Sequence, residues 1–128
     1  MIMKMYVYMS EDNWYAQLFS LCHEEERKEK VWFKAGITSN PKQRRYGLSS
    51  YGKKYGVQDL NQTIDKYTIE VPENMALIVE GYILYRIRLM PSVIEVRGEL
   101  AYISIEDRQY CYDHMAQWVE EALCAHPC

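Results

Sequence analysis

The chain of 128 residues and 15.3 kDa, 48% hydrophobic and 26% charged, has the make-up of one folded domain that buries its core without disulfide or metal staples. A net charge of −3 and a pI near 5.6 exclude a surface coated in positive charge, so any contact with nucleic acid has to be local or assisted. The opening "MIMKMYVYMSEDNW" lacks the apolar run and cleavage site of a signal peptide, and no stretch reaches the roughly 18 apolar residues of a membrane helix, so the chain reads as cytosolic.

In chain order, "KMYVYM" (4–9) is β-prone and puts Tyr6 and Tyr8 on one face by its period of two. Ser10 has the chemistry to cap a helix that fills an insert over about 10–30, with Trp14, Leu18 and Leu21 or Cys22 as its apolar stripe. "KVWFKAGITS" (30–39) predicts the second strand. Asn40 and Pro41 then read as the cap and first residue of a short helix weakened by Gly47. "KKYGVQDLNQT" looks like loop, and "DKYTIEV" (65–71) is a third strand.

A long helix over 72–90 follows Pro72 and is stopped by Pro91. Its apolar residues wrap most of the way round, which predicts a buried central helix. "ELAYISI" (99–105) is a fourth strand. A closing helix over about 106–124 carries Tyr110, Met115, Trp118, Val119 and Leu123 inward. The expected fold is a single α/β (α+β) domain over 1–128, a small, mainly antiparallel sheet flanked by helices. Most of the twelve tyrosines fit half-buried strand and helix positions.

Two features carry chemistry. In "MALIVEGYILYR" (75–86), Glu80 is the only charged residue between Glu73 and Arg86. A lone carboxylate in apolar surroundings points to solvent, pairs with an internal arginine, or acts as a ligand or acid–base group. "CYDH" (Cys111, His114) and "CAHPC" (Cys124, His126, Cys128) hold residue types that suit zinc, but their spacings match no strong template, and reduced thiols are the simpler reading.

Three pieces taken together, "YVY" at 6–8, "FKAGITSNPKQR" at 33–44 and "ALIVEGYIL" at 76–84, resemble the GIY-YIG nuclease superfamily. There a first strand carries a "GIY"-like triplet and a second ends in a "YIG"-like triplet. An arginine follows eight residues past the motif glycine, and a later helix carries one glutamate. Gly36 plus eight is Arg44, and Glu80 sits in a "LIVE" context similar to that of the family's metal-binding glutamate. The wording "GITSNPKQR" looks more specifically like a phage-type branch that often reads "KIG", and "RGELAYIS" (97–104) is similar to a segment near its end.

The resemblance implies an endonuclease that hydrolyses DNA phosphodiesters with one Mg²⁺ or Mn²⁺, in a phage or mobile-element setting and hence in a host cytoplasm. Glu80 would hold the metal beside waters and a substrate oxygen. Arg44 offers a planar fork of donors to the phosphate, with Arg45 as its rival for the inward position. Tyr8 is the general-base candidate, with Tyr6 on the same strand face as the alternative.

The chain departs from the family at two places. Tyr6 stands at the motif glycine, and Lys34 stands at the second motif's tyrosine, where it either orients water or phosphate or is a solvated strand lysine. Leu48 occupies a position where relatives carry His or Tyr, with Tyr46 and Tyr51 nearby. Lys34, Lys42, Arg44, Arg45, Lys53 and Lys54 would form one basic face for local phosphate contacts. The alternative is a catalytically weak or inactive module of the same fold that binds nucleic acid or a host defence protein.

Overall fold

The computed structural model describes residues 4–12, 30–57, 60–62 and 69–125. Strand β1 (Met5–Asp12) pairs antiparallel with β2 (Lys30–Thr38), and helix α1 (Pro41–Lys54) follows. Two three-residue strands, β3 (Leu60–Gln62) and β4 (Ile69–Val71), both pair with the other edge of β1. A single 3₁₀ turn (Glu73–Met75) leads into α2 (Ala76–Arg88), then β5 (Glu95–Arg97), β6 (Leu100–Ser104) and α3 (Ile105–Ala125). The strand order is β3-β1-β2-β6-β5 with β4 beside β3 on β1, and every described pairing is antiparallel. The expected α+β class and antiparallel sheet are therefore present.

The period of two divides the sheet's side chains cleanly. Val7, Met9, Val31, Phe33, Ala35, Ala101 and Ile103 face α2 and α3, where Val79, Ile83, Ile87, Met115 and Trp118 complete the main core. Tyr8 and Leu100 face the other way. They pack with Leu48 of α1, Val57 and Leu60, and with the half-buried Trp32, Tyr51 and Tyr55. The second, smaller core pins α1 against the face that carries Tyr8 and Lys34.

Several expectations are corrected. Ser10 does not cap a helix: β1 runs on to Asp12, with Ser10 buried and paired to Lys34 and Gln62. Cross-strand partners outweigh a local capping preference there. The rest of the proposed insert, with Trp14, Leu18, Leu21 and Cys22, lies outside the described residues. The stretch read as loop holds β3, which is stabilised by the edge of β1 and not by its own pattern.

The buried central helix is instead a helix lying on one face of the sheet. Ala76, Val79, Ile83 and Ile87 are buried, while Leu77 is 84% and Tyr85 58% exposed. Proline 72 precedes the 3₁₀ turn, and the α-helix starts only at Ala76. In α3, Met115, Trp118 and Val119 are buried as expected, but Tyr110 is exposed and stacks on His114. The inward stripe passes through Arg108, Cys111, Tyr112 and Ala122.

Candidate active site

The site is built where β1, β2 and α1 meet. Tyr8 pairs with Gly36 across the β1–β2 ladder, and Lys34 lies two residues before Gly36 on the same face. Asn40 caps α1 by accepting from the Gln43 backbone N–H at 3.1 Å, with Pro41 at the first helical position, as the sequence predicts. That cap fixes the first turn of α1, and Arg44 reaches back from it to the sheet. Its Nε donates to the Tyr8 hydroxyl oxygen at 2.9 Å. Lys34 Nζ donates to the same oxygen at 2.7 Å.

Lys34 is not a solvated strand lysine. It is 1% exposed, and its ammonium also pairs with Glu99 Oε2 at 2.7 Å. The ammonium lies 4.9 Å from the Tyr8 ring centroid and 5.1 Å from that of Tyr51. The Arg44 guanidinium lies 5.8 Å and 5.9 Å from the same two rings. Burial pushes the Lys34 pKa down, but the Tyr8 oxygen and the Glu99 carboxylate more than offset this, and the net direction is up. Tyr51 is raised, foremost by burial, and its hydroxyl accepts from the Glu99 backbone N–H at 2.9 Å.

Glu80 comes from α2, on the opposite side of the sheet, and meets β2 at Ile37. β6 covers β2 only along Lys30–Phe33, so the later part of that edge of β2 is open. There the Ile37 N–H donates to Glu80 Oε2 at 3.2 Å. Glu80 is half-buried and not sealed in the core, and no arginine among the described residues pairs with it. The next residue, Thr38, lines an open pocket of about 230 Å³ with Asn40, Gln43, Arg44 and Gly47. Tyr8, Lys34 and Arg44 thus meet directly, while Glu80 stands at the adjoining end of β2.

Among the described residues, no group of three or more His, Cys, Asp or Glu side chains could hold a metal ion. A single carboxylate fits a hard ion such as Mg²⁺ or Mn²⁺, which keeps several waters and takes substrate oxygens. Glu80 would be that carboxylate, since its bond from the Ile37 N–H occupies only one of its acceptor positions. Cys111 is buried and Cys124 exposed at a separate location on α3, and His126 and Cys128 lie outside the described residues.

The remaining sequence-predicted residues fall as follows. Tyr6 is half-buried and pairs with Thr38 at the pocket's edge, but Tyr8 receives the Lys34 and Arg44 bonds. Lys53 and Lys54 are exposed at the C-terminal end of α1. The side chains of Lys42 and Arg45 lie outside the described residues. The basic face is smaller than expected, because Lys34 belongs to the interior. Leu48 is fully buried, and among the described side chains of α1 Tyr51 is the aromatic one that touches the site.

Sequence reasoning missed Glu99. It sits in the two-residue Gly98-Glu99 loop between paired Arg97 and Leu100, with Gly98 at φ +59°. A side chain at Gly98 would meet the Tyr55 ring at 2.7 Å, so this turn accepts only glycine. The "RGEL" string, a glycine before a charged residue between β-prone runs, was the available signal. No family model, curated protein or solved structure matches the chain.

Proposed function

We propose that this chain is a metal-dependent endonuclease that hydrolyses DNA phosphodiester bonds, with Tyr8, Arg44 and Glu80 as the working set and Lys34 assisting. The observation that carries this reading is the Tyr8–Arg44 bond of 2.9 Å beside an open pocket that Arg44 itself lines. Arg44 spends its Nε on Tyr8, which leaves both Nη amines for phosphate oxygens. Lys34 and Arg44 each donate a charge-assisted hydrogen bond to the Tyr8 oxygen, which fixes the phenol that in this reading takes a proton from an attacking water. Glu80 would hold one Mg²⁺ or Mn²⁺, whose contribution is to neutralise charge on the phosphate. The phage or mobile-element setting follows from the sequence resemblance and belongs to the same proposal.

The test is plasmid cleavage with Mg²⁺ or Mn²⁺ by the wild type, Glu80→Ala and Arg44→Ala. Cleavage that EDTA and both substitutions abolish supports the enzyme and the metal role together. No cleavage by wild type, with the protein folded, rejects it.

One observation favours a second reading, a non-catalytic module that binds nucleic acid or a host defence protein. Tyr8 is only 2% exposed and its oxygen already accepts two bonds, so water reaches it only if Lys34 or Arg44 moves. Retention of a labelled DNA duplex without cleavage, lost in Arg44→Ala, would favour this reading over the first.

A further inference from the structure

Lys34 and Arg44 bring two positive charges to one phenol oxygen. Removing an ammonium from water costs several kcal/mol unless an anion meets it. Among the described residues, the groups that face the Lys34 ammonium are Tyr8 from β1, Tyr51 and Arg44 from α1, and Glu99 from the β5–β6 loop. Of these, Glu99 alone is a carboxylate.

The loop that carries Glu99 is anchored from two sides. Arg97 Nη1 donates to the Tyr55 carbonyl at 2.9 Å, just past α1, and Arg88 of α2 donates to the Gly98 carbonyl at 3.1 Å. The Glu99 N–H donates to the Tyr51 hydroxyl. These bonds all involve backbone groups of the loop or its own arginine, so the loop's position does not depend on the Glu99 side chain. The carboxylate is 35% exposed, with its Oε2 turned to Lys34 at 2.7 Å.

We propose that Glu99 is a positioning residue of this site: through Lys34 it keeps the ammonium charged and seated on the Tyr8 oxygen, without touching substrate itself. The proposal rests on the endonuclease reading for its catalytic meaning, but its physical content is independent of that reading. A glutamine at 99 has the same shape and can still bond Lys34, yet it carries no charge. Burial then acts on Lys34 with the Glu99 charge no longer among the contacts that oppose it.

The experiment uses the full chain labelled at lysine ¹³Cε, as wild type, Glu99→Gln and Glu99→Asp, with Lys34→Met to assign the Lys34 resonance. In the Glu99→Gln protein the Lys34 titration midpoint is expected to fall by about one pH unit or more, and in Glu99→Asp to return most of the way. Cleavage by Glu99→Gln should match wild type at the acid end of its range and lose kcat earlier as pH rises, with KM unchanged. An unchanged Lys34 midpoint in Glu99→Gln, with melting curves showing both proteins folded, overturns the proposal. So does a moved midpoint with an unmoved pH profile of kcat. If wild type cleaves nothing, the endonuclease reading fails, and the Lys34 titration alone decides whether Glu99 seats the ammonium.

Discussion

Gly36 lies directly opposite Tyr8 in the β1–β2 ladder, and a methyl group on it would stand 2.6 Å from the Tyr8 hydroxyl and 2.8 Å from Lys34 Nζ. The Lys34–Tyr8–Arg44 cluster therefore occupies the space that any other residue at 36 would claim. Gly36→Ala is expected to cost about 1–3 kcal/mol of stability, because the neighbours are ring and ammonium atoms held by further bonds. Tyr8 would have to leave at least one of its two donors, so cleavage should fall further than the lost stability explains. Thermal denaturation and plasmid cleavage on the same sample check this. Wild-type melting and activity would show that Tyr8 does not need the seat described.

Lys34 makes the stability of this protein depend on alkaline pH. Its folded pKa lies above the ordinary 10.5, burial opposing and the Tyr8 and Glu99 contacts prevailing. The favourable contribution is fully present below 10.5 and is lost as pH rises through the folded value. The stability difference between wild type and Lys34→Met should therefore hold steady at neutral pH and shrink above 10.5. Urea unfolding of both proteins across that range measures it. A difference that is constant with pH would mean the ammonium gains nothing from its partners.

Cys111 should behave as a buried, inert thiol. Burial foremost, and Asp107 in addition, push its pKa from 9.0 up to about 12. In a variant with serine at Cys22, Cys124 and Cys128, the remaining Cys111 is expected to resist a thiol-specific reagent at about pH 8 until denaturant is added. Stability from the protonated thiol is present below 9.0 and is lost progressively as pH rises toward 12, since the unfolded chain releases the proton first. Rapid labelling of the native protein would contradict the packing of α3 on the sheet.

How far the sequence revealed this arrangement depended on whether a residue's partners are local. Tyr8 facing away from Val7 follows from the two-residue period, and the α1 cap at Asn40 follows from residue type. Arg44 came from the family resemblance, whose motif places an arginine eight residues past Gly36. The burial of Lys34 could not be read, because the anion that stabilises it is Glu99, far along the chain and delivered by a hairpin. That hairpin offered only a faint signal, the "RGEL" string, because β5 is three residues long and wholly exposed. Ser10 misled because its capping chemistry is local while its actual partners, Lys34 and Gln62, belong to other strands. The apolar surround of Glu80 suggested a buried helix, yet Leu77 and Tyr85 face outward and the carboxylate reaches the open edge of β2.

Glu80 can be tested so that its structural and chemical roles separate. Its Oε2 accepts the Ile37 N–H, a bond that a glutamine carbonyl oxygen can also accept. Glu80→Gln should thus melt within about 1 kcal/mol of wild type, the ordinary scale of one hydrogen bond. Glu80→Ala leaves the Ile37 N–H without that acceptor and should be less stable than Glu80→Gln. A neutral amide is a poor ligand for Mg²⁺ or Mn²⁺, so both variants should lose cleavage alike, by about 10²-fold or more. Raising the metal concentration would recover little in either. If Glu80→Gln cleaves like wild type while Glu80→Ala does not, the residue serves only to hold the end of β2, and the metal has to be bound elsewhere.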